Sequence, residues 1–296
     1  MTNQYNLPQF VVNALTHSDY PDHEPNTIGV TSLIDSARIR TLSALHPNLP
    51  RDASTYVDSM LGNAVHEWFR AANIDRPATV CEERFTARWG NVTISAQPDR
   101  VEGIFLYDLK TAKAASVFYG PKPSWEKQTN IYRWVLGKNG IPVEVIQIVV
   151  VYKDWSIGEQ QRMLNSGYSY PEKPVDVINM PLWPDAKTET FIDERIAAHF
   201  CAELPECTAE ERWAKDAQYA VHKGGKYRAE RVLNTLEEAY AWAGEQRINI
   251  KRVADNRLLD ESGYYIVKRS EVWTRCEHYC PVSSVCKQWQ EHKGVL

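Results

Sequence analysis

An α/β fold with a small α+β unit appended at its C-terminal side is what the sequence predicts, on three observations. Segments of helical period alternate with segments of strand period from about residue 28 to residue 204. The most apolar run, VEVIQIVVVYK, reads as a strand and suits a central position covered on both faces. The composition then changes at Pro205, where short strands, one helix and a cysteine-rich close follow. With 296 residues, 43% of them hydrophobic, the chain can bury one main core and a smaller unit. The expected division is an extended lead-in over 1–27, a core over 28–204 and the small unit over 205–296.

The elements follow in order. Residues 1–27 are polar and contain proline without a clear period. A first helix is predicted over TSLIDSARIRTLSAL, capped by Thr31 or Ser32. A second is predicted over DASTYVDSMLGNAVHEWFRAANI, with Tyr56, Met60, Ala64, Trp68 and Ala72 as a core-facing stripe and His66 off it. Gly62 stands one turn before His66, which predicts a narrow helix where the imidazole projects. TVCEERFTARW, NVTISAQPD and GIFLYDLKT read as a β-meander with turns at Gly90-Asn91 and Glu102-Gly103. SWEKQTNIYRWVLGKNG is helical and ends at Gly140 and Pro142; the apolar strand comes next, then a Tyr/Pro-rich loop, the strand VDVINMPL and the helix DAKTETFIDERIAAHFCAEL. Beyond Pro205 lie YAVHKGGKYRAERVL, the helix TLEEAYAWAGEQ, the strand GYYIVKRSEVW and CEHYCPVSSVC.

A net charge of −4 does not by itself point to nucleic acid, so local basic surface matters more than the sum. No basic-then-apolar leader and no apolar run of roughly 20 residues is present, which predicts a cytoplasmic protein without a membrane partner. No Walker A pattern occurs, so ATP is not expected to be required.

The stretch QPDRVEGIFLYDLKT carries Asp99, Asp108 and Lys110 inside an apolar strand pattern. A turn at Glu102-Gly103 brings Asp99 back beside Leu106 to Asp108, and the period of two puts Asp108 and Lys110 on one face and Leu109 on the other. A solvated face is the ordinary explanation of such charges, but IFLYDLK is too apolar for one, and a buried Asp with a Lys calls for a partner or a metal. Carboxylates suit hard divalent cations, and a neighbouring lysine can hold a phosphate or the attacking water.

PD at 98–99 followed by DLK at 108–110 resembles the PD-(D/E)XK nuclease superfamily, whose members cut DNA with Mg²⁺ or Mn²⁺. GNAVHEWF resembles the helical motif of its RecB-like branch, and QTNIY resembles the Q-x-x-x-Y motif that follows the catalytic strand. The resemblance implies a restriction-endonuclease-like core, a central mixed sheet flanked by helices. It implies that His66, Asp99, Asp108 and the carbonyl of Leu109 hold a divalent cation. Lys110 is then expected to orient or deprotonate water, and Gln128 and Tyr132, one helical turn apart, to bond the DNA backbone or order the site. The imidazole is expected to make Mn²⁺ at least as effective as Mg²⁺. Glu83, in CEERF, is a further acidic candidate.

CEHYCPVSSVC offers Cys276, Cys280 and Cys286, a spacing that can place three thiolates around one centre. Cys207 is the preferred fourth ligand, ahead of Cys81 and Cys201. The plan resembles RecB-like nucleases of the AddB type and the related CRISPR adaptation nucleases, which close the domain with a 4Fe–4S cluster. Their distant cysteine precedes the nuclease motifs, where this chain has TSLIDSARIR and none. Zn²⁺ therefore stays open as the alternative, with His278 or His292 replacing a thiolate. Either metal is expected to be structural.

Lys223, Lys226, Arg228 and Arg231, with His222 and close to Tyr219 and Tyr227, suggest a groove for single-stranded nucleic acid; Lys251, Arg252, Lys268 and Arg269 follow. Glu230, Glu237 and Glu238 lie nearby, so a solvated face is the other reading. The resemblance implies a DNA exonuclease acting on ends or single strands. A small chain without helicase motifs suits a phage enzyme in a bacterial host cytoplasm, alongside a recombination or annealing protein. The rival is a non-catalytic DNA-binding or recombination assembly protein that keeps the fold, against which the intact Asp99, Asp108 and Lys110 argue.

Overall fold

A computed structural model describes residues 1–17, 24–72 and 80–295. It divides into two compact units, Met1–Pro205 and Glu206–Leu296. Among the described residues no helix is long and apolar enough to cross a membrane.

The first unit carries helices α1 (Gln9–Thr16), α2 (Val30–Ile34), α3 (Ala37–Leu45), α4 (Val57–Ala71), α5 (Pro123–Lys138), α6 (Ile157–Asn165) and α7 (Asp185–Phe200). Its strands are β1 (Thr27–Gly29), β2 (Val80–Cys81), β3 (Phe85–Trp89), β4 (Val92–Ala96), β5 (Arg100–Glu102), β6 (Phe105–Ala112), β7 (Val145–Tyr152) and β8 (Val175–Met180). A five-stranded sheet runs β2-β5-β6-β7-β8. Only β6 and β7 are parallel in it, because α5 supplies the crossover that a parallel pair needs. The other neighbours are antiparallel, which makes the sheet mixed, as expected. Helix α5 is the main element against it, with Ile131, Trp134, Val135 and Leu136 buried. Each such large apolar side chain contributes on the order of 1.5–3 kcal/mol.

Several local expectations change. The lead-in contains α1, whose Val12 and Leu15 pack with Ala53, Tyr56 and Met60. The single helix from Thr31 divides, since Asp35 is extended and Ser36 caps α3 by accepting from the Ile39 N–H at 3.3 Å. The meander is not one sheet: β3 and β4 join β1 in a separate three-stranded sheet, while β2, β5 and β6 belong to the large one. Strand β7 alternates buried and half-buried residues rather than being covered on both faces. Helix α6 occupies part of the expected loop, and its Ser156 cap, three residues before Glu159, is the signal for it.

The expected stripe of helix α4 divides: Tyr56 and Met60 pack on Val12, Leu15 and Ala53, while Ala64, Trp68 and Ala72 are exposed. None of its residues is fully buried, and Trp68, set in the core-facing stripe, is 78% exposed. The side carrying Gly62 and His66 turns inward instead. A Cβ on Gly62 would meet only Thr111 Oγ1, at 4.0 Å, so close approach does not require glycine there. Residues 73, 74 and 79 of the expected elements lie outside the described residues.

In the second unit, a four-stranded sheet has the order β11-β10-β13-β12: β10 (Gln218–Lys223), β11 (Arg231–Leu233), β12 (Ile250–Ala254) and β13 (Tyr264–Arg269). Helix α9 (Leu236–Glu245) starts with a capping box between Thr235 and Glu238 and packs Ala239 on Val221 and Ile266. Gly224 donates its N–H to the Gly263 carbonyl at 2.7 Å, and a Cβ there would lie 1.5 Å from the Glu261 carbonyl oxygen. Only glycine fits that crossing. The remaining elements are α8 (Ala209–Arg212), the paired β9 (Ala214–Lys215) and β14 (Val272–Trp273), α10 (Thr274–His278) and α11 (Lys287–His292).

Candidate functional site

The hairpin β5–β6 is tight. Glu102 pairs with Phe105 across the two-residue turn Gly103-Ile104, and Gly103 takes a φ of 56° that a side chain would disfavour. Asp99 enters β5 and Asp108 lies mid-strand in β6. Asp99 Oδ2 accepts the Leu109 N–H at 2.5 Å, which locks one carboxylate across the hairpin.

Strand β2 adds a residue that the sequence reading placed one position too late. Cys81 is opposite Arg100, so the residue just past β2, Glu82, lies beside Asp99, and its N–H donates to the Asp99 carbonyl at 3.2 Å. Glu83 is exposed. Glu82 has a φ of 54°, a left-handed backbone that is costly for this side chain. His66 from α4 comes between the two acids: its Nδ1 is 3.2 Å from Glu82 Oε1 and 3.3 Å from Asp99 Oδ1. The Asp99 hydrogen bond, then the Glu82 one, raise the His66 pKa to about 10. Among the described residues, His66, Glu82 and Asp99 are the one group of three potential ligands whose donor atoms lie within 4.8 Å of one another.

Asp108 falls outside that trio but within its electrostatic reach. It is 0% exposed, its Oδ2 lies 2.6 Å from Lys110 Nζ, and its Oδ1 has no hydrogen-bond partner. Burial pushes its pKa up against the pull of Lys110, with Asp99 adding to the rise. Burial disfavours the Lys110 ammonium, but Asp108 and Asp99 outweigh it and raise its pKa. On α5, Gln128 Nε2 donates to Tyr132 Oη at 2.8 Å, and burial, reinforced by Asp108, raises the pKa of the Tyr132 phenol. A cleft of about 410 Å³ is lined by His66, Glu82, Asp99, Lys110, Gln128 and Tyr132, with Thr31, Arg84 and Gln97 among the other walls. A buried carboxylate oxygen without a partner, next to converging carboxylates and an imidazole, is a donor set suited to a divalent cation.

None of the six cysteines is in a disulfide, and four of them lie in the second unit: Cys207, Cys276 and Cys286 are buried and Cys280 half-buried. Burial raises the Cys276 pKa to about 11, and Cys280, Cys207 and Cys286 all add to the rise, so the four thiols lie within electrostatic reach of one another. Cys81 belongs to the first unit, and Cys201 is exposed there. Gln288, missed in the sequence, clamps Cys207: Oε1 accepts its N–H at 2.9 Å and Nε2 donates to its carbonyl at 3.1 Å. His292 stacks on Trp273 at 3.7 Å, and His278 is an exposed neighbour of Glu277. Neither histidine joins a three-ligand group among the described residues.

Lys223 and Arg231 lie on β10 and β11, and Lys226 and Arg228 in the connection between them. Lys226 is paired with Glu230 at 2.8 Å, and the register puts Lys223 and Arg231 on the α9 side of the sheet with Val221. Arg228 is exposed. His222 is 2% exposed and stacks on Tyr265, so it is a core residue.

Solved structures resemble the chain distantly. SSO0001 has a TM-score of 0.45 at 18% identity, over 65% of this chain and 86% of that one. The alkaline exonuclease LHK-Exo of Laribacter hongkongensis has a TM-score of 0.36 at 15% identity, over 58% and 87%. Its complex with dAMP gives 0.35 at 14%, over 64% and 90%. No curated protein matches the chain. The model of one family matches residues 35–287, a span that contains His66, the acidic hairpin, α5 and all four clustered cysteines, and by that match the chain belongs to the PD-(D/E)XK nuclease superfamily.

Proposed function

We propose that the chain is a divalent-metal-dependent DNA nuclease that works as an exonuclease on DNA ends or single strands. The observation that carries this reading is the convergence of His66, Glu82 and Asp99 beside a buried Asp108 whose Oδ1 lacks a partner. These four side chains, with the Leu109 carbonyl, would hold Mg²⁺ or Mn²⁺. When bound, the ion supplies Lewis-acid polarisation of the phosphate and makes water a nucleophile near neutral pH.

The chain's own groups do the rest. Lys110 is held charged by two carboxylates, so it donates hydrogen bonds and steadies negative charge on the phosphate rather than taking a proton. Tyr132, kept neutral by burial, orders the Gln128 amide at the cleft wall. The exonuclease assignment rests on the motif resemblance to the RecB-like branch. Basic surface on the second unit, including Arg228 and Arg231, would add weak, salt-sensitive DNA contacts.

Cys207, Cys276, Cys280 and Cys286 would hold a structural metal, and the resemblance of their plan to the AddB-type nucleases supports a 4Fe–4S cluster, with Zn²⁺ as the alternative. The division into a lead-in, a nuclease core and a C-terminal unit remains our reading of how these two sites are distributed.

The test uses Mn²⁺ and end-labelled linear DNA beside a covalently closed single-stranded circle. Degradation of the linear form alone supports an exonuclease. Cutting of the circle makes the enzyme an endonuclease, and inertness toward both forms contradicts the nuclease reading.

A further inference from the structure

One cation in the cleft is held in an unusual way. Arg84 is exposed, lines the cleft, and donates through Nη1 to Ser95 Oγ at 3.4 Å and through Nη2 to Gln97 Oε1 at 3.1 Å. Both acceptors are neutral. Among other arginines of this unit, Arg70 sits on Glu67, Arg100 on Glu102, Arg133 on Asp185 and Arg162 on Glu159, while Arg38 and Arg195 donate to backbone carbonyls away from the cleft. Among the described residues Arg84 pairs with no carboxylate, although Glu82 is two positions away. The Gln97 amide stands between them, donating through Nε2 to Glu82 Oε2 at 3.3 Å while its oxygen receives the guanidinium.

The arrangement fixes the guanidinium without neutralising it. An arginine has five N–H donors in a planar fork, and the two neutral acceptors leave the charge and further donors directed to a ligand. In a cleft otherwise rich in carboxylates, a positioned and uncompensated cation matches a tetrahedral oxyanion, which it can grip through paired, charge-assisted hydrogen bonds. Gln97 also links that cation to the metal-ligand candidates, through Glu82 to His66.

We propose that Arg84, set by Ser95 and Gln97, forms a phosphate subsite for the DNA phosphodiester next to the one being cut, so that the strand is gripped at two consecutive phosphates. This rests on the nuclease reading for which polymer carries the phosphate. Arg84 touches the neighbouring phosphate and not the reacting atoms, so it is a positioning residue.

The test walks a single neutral methylphosphonate along a fluorescein-labelled single-stranded oligonucleotide and reads binding by anisotropy, with Ca²⁺ present, for the parent, Arg84→Gln and Arg84→Lys. The parent is expected to lose about tenfold in affinity at one position beside the cleavage site. Arg84→Gln should bind the unmodified strand about tenfold more weakly and be indifferent to the modification at that position. Arg84→Lys should keep part of the penalty. An Arg84→Gln protein that binds like the parent, or shows the same positional penalty, overturns the subsite and leaves the nuclease reading standing. A parent with the positional penalty that cleaves no DNA in Mn²⁺ contradicts the nuclease reading and leaves the subsite. A parent that binds no oligonucleotide contradicts both.

Discussion

Glu82 and Asp99 meet where β2 ends and β5 begins, joined by the Glu82 N–H to the Asp99 carbonyl at 3.2 Å, and both carboxylates reach one nitrogen of His66. The acidic residue that completes the trio is therefore Glu82 and not Glu83. Glu82→Gln is expected to weaken Mn²⁺ binding about tenfold or more and to lower turnover, while Glu83→Gln leaves both within twofold. Calorimetric metal titration of the two variants checks it, and equal effects would refute the assignment.

The same contacts set a pH dependence. His66 has its folded pKa raised from 6.5 to about 10, first by Asp99 and then by Glu82. Its contribution to the stability of metal-free protein is fully present below about pH 6.5 and is lost as pH rises through about 10. A cation must displace that proton, so Mn²⁺ affinity should climb with pH by up to about tenfold per unit between pH 7 and pH 9. Titrations in buffers of different ionisation enthalpy should report release of about one proton, and a flat affinity would contradict the account.

Asp108 is buried and pairs with the half-buried Lys110 at 2.6 Å, an arrangement whose desolvation offsets its attraction. Replacing both in Asp108→Asn/Lys110→Met should leave thermal stability of the metal-free protein unchanged or raise it, by up to about 1–4 kcal/mol. Activity should vanish. A large fall in melting temperature would show that the pair stabilises the fold instead.

Much of this site was legible because its parts are local. Asp99, Asp108 and Lys110 sit on one hairpin, where charges in an apolar strand pattern mark them, and Gln128 with Tyr132 sit on one helical turn, where the motif resemblance marks them. The hairpin turn itself lies at Gly103-Ile104, one residue later than expected. Glu82 was missed and Glu83 named in its place, because its position beside Asp99 is set by the β2–β5 register, a pairing distant in sequence that leaves no local trace. Helix α4 was read as core-facing along its whole stripe, yet only Tyr56 and Met60 pack, Trp68 faces out, and His66 lines the cleft. The basic residues of YAVHKGGKYRAER could not be told from a solvated face by pattern alone, because strand register decides that Lys223 and Arg231 share a face while Lys226 pairs with Glu230.

Tyr132 tests how far the order of the cleft depends on one hydroxyl. Tyr132→Phe removes the Gln128 partner at 2.8 Å and should cost about 1 kcal/mol of stability, with a fall in kcat and little change in KM. A fall in KM-governed binding alone would make Tyr132 a DNA contact rather than an ordering group.

The cysteine site predicts a second, independent metal. Anaerobically purified protein should be brown with iron and sulfide bound, and Cys276→Ser should lose the colour. Gln288→Leu, which frees the Cys207 backbone, should speed loss of the metal to a chelator while keeping the four thiols. Colourless protein with stoichiometric zinc would contradict the cluster.

The most direct test of the central claim is release of labelled nucleotides from DNA by the parent and by Asp108→Asn in Mn²⁺, with circular dichroism confirming equal folding. The account predicts metal-dependent release by the parent and a loss of at least about a thousandfold in the variant. Cleavage by Asp108→Asn at the parent's rate would contradict it.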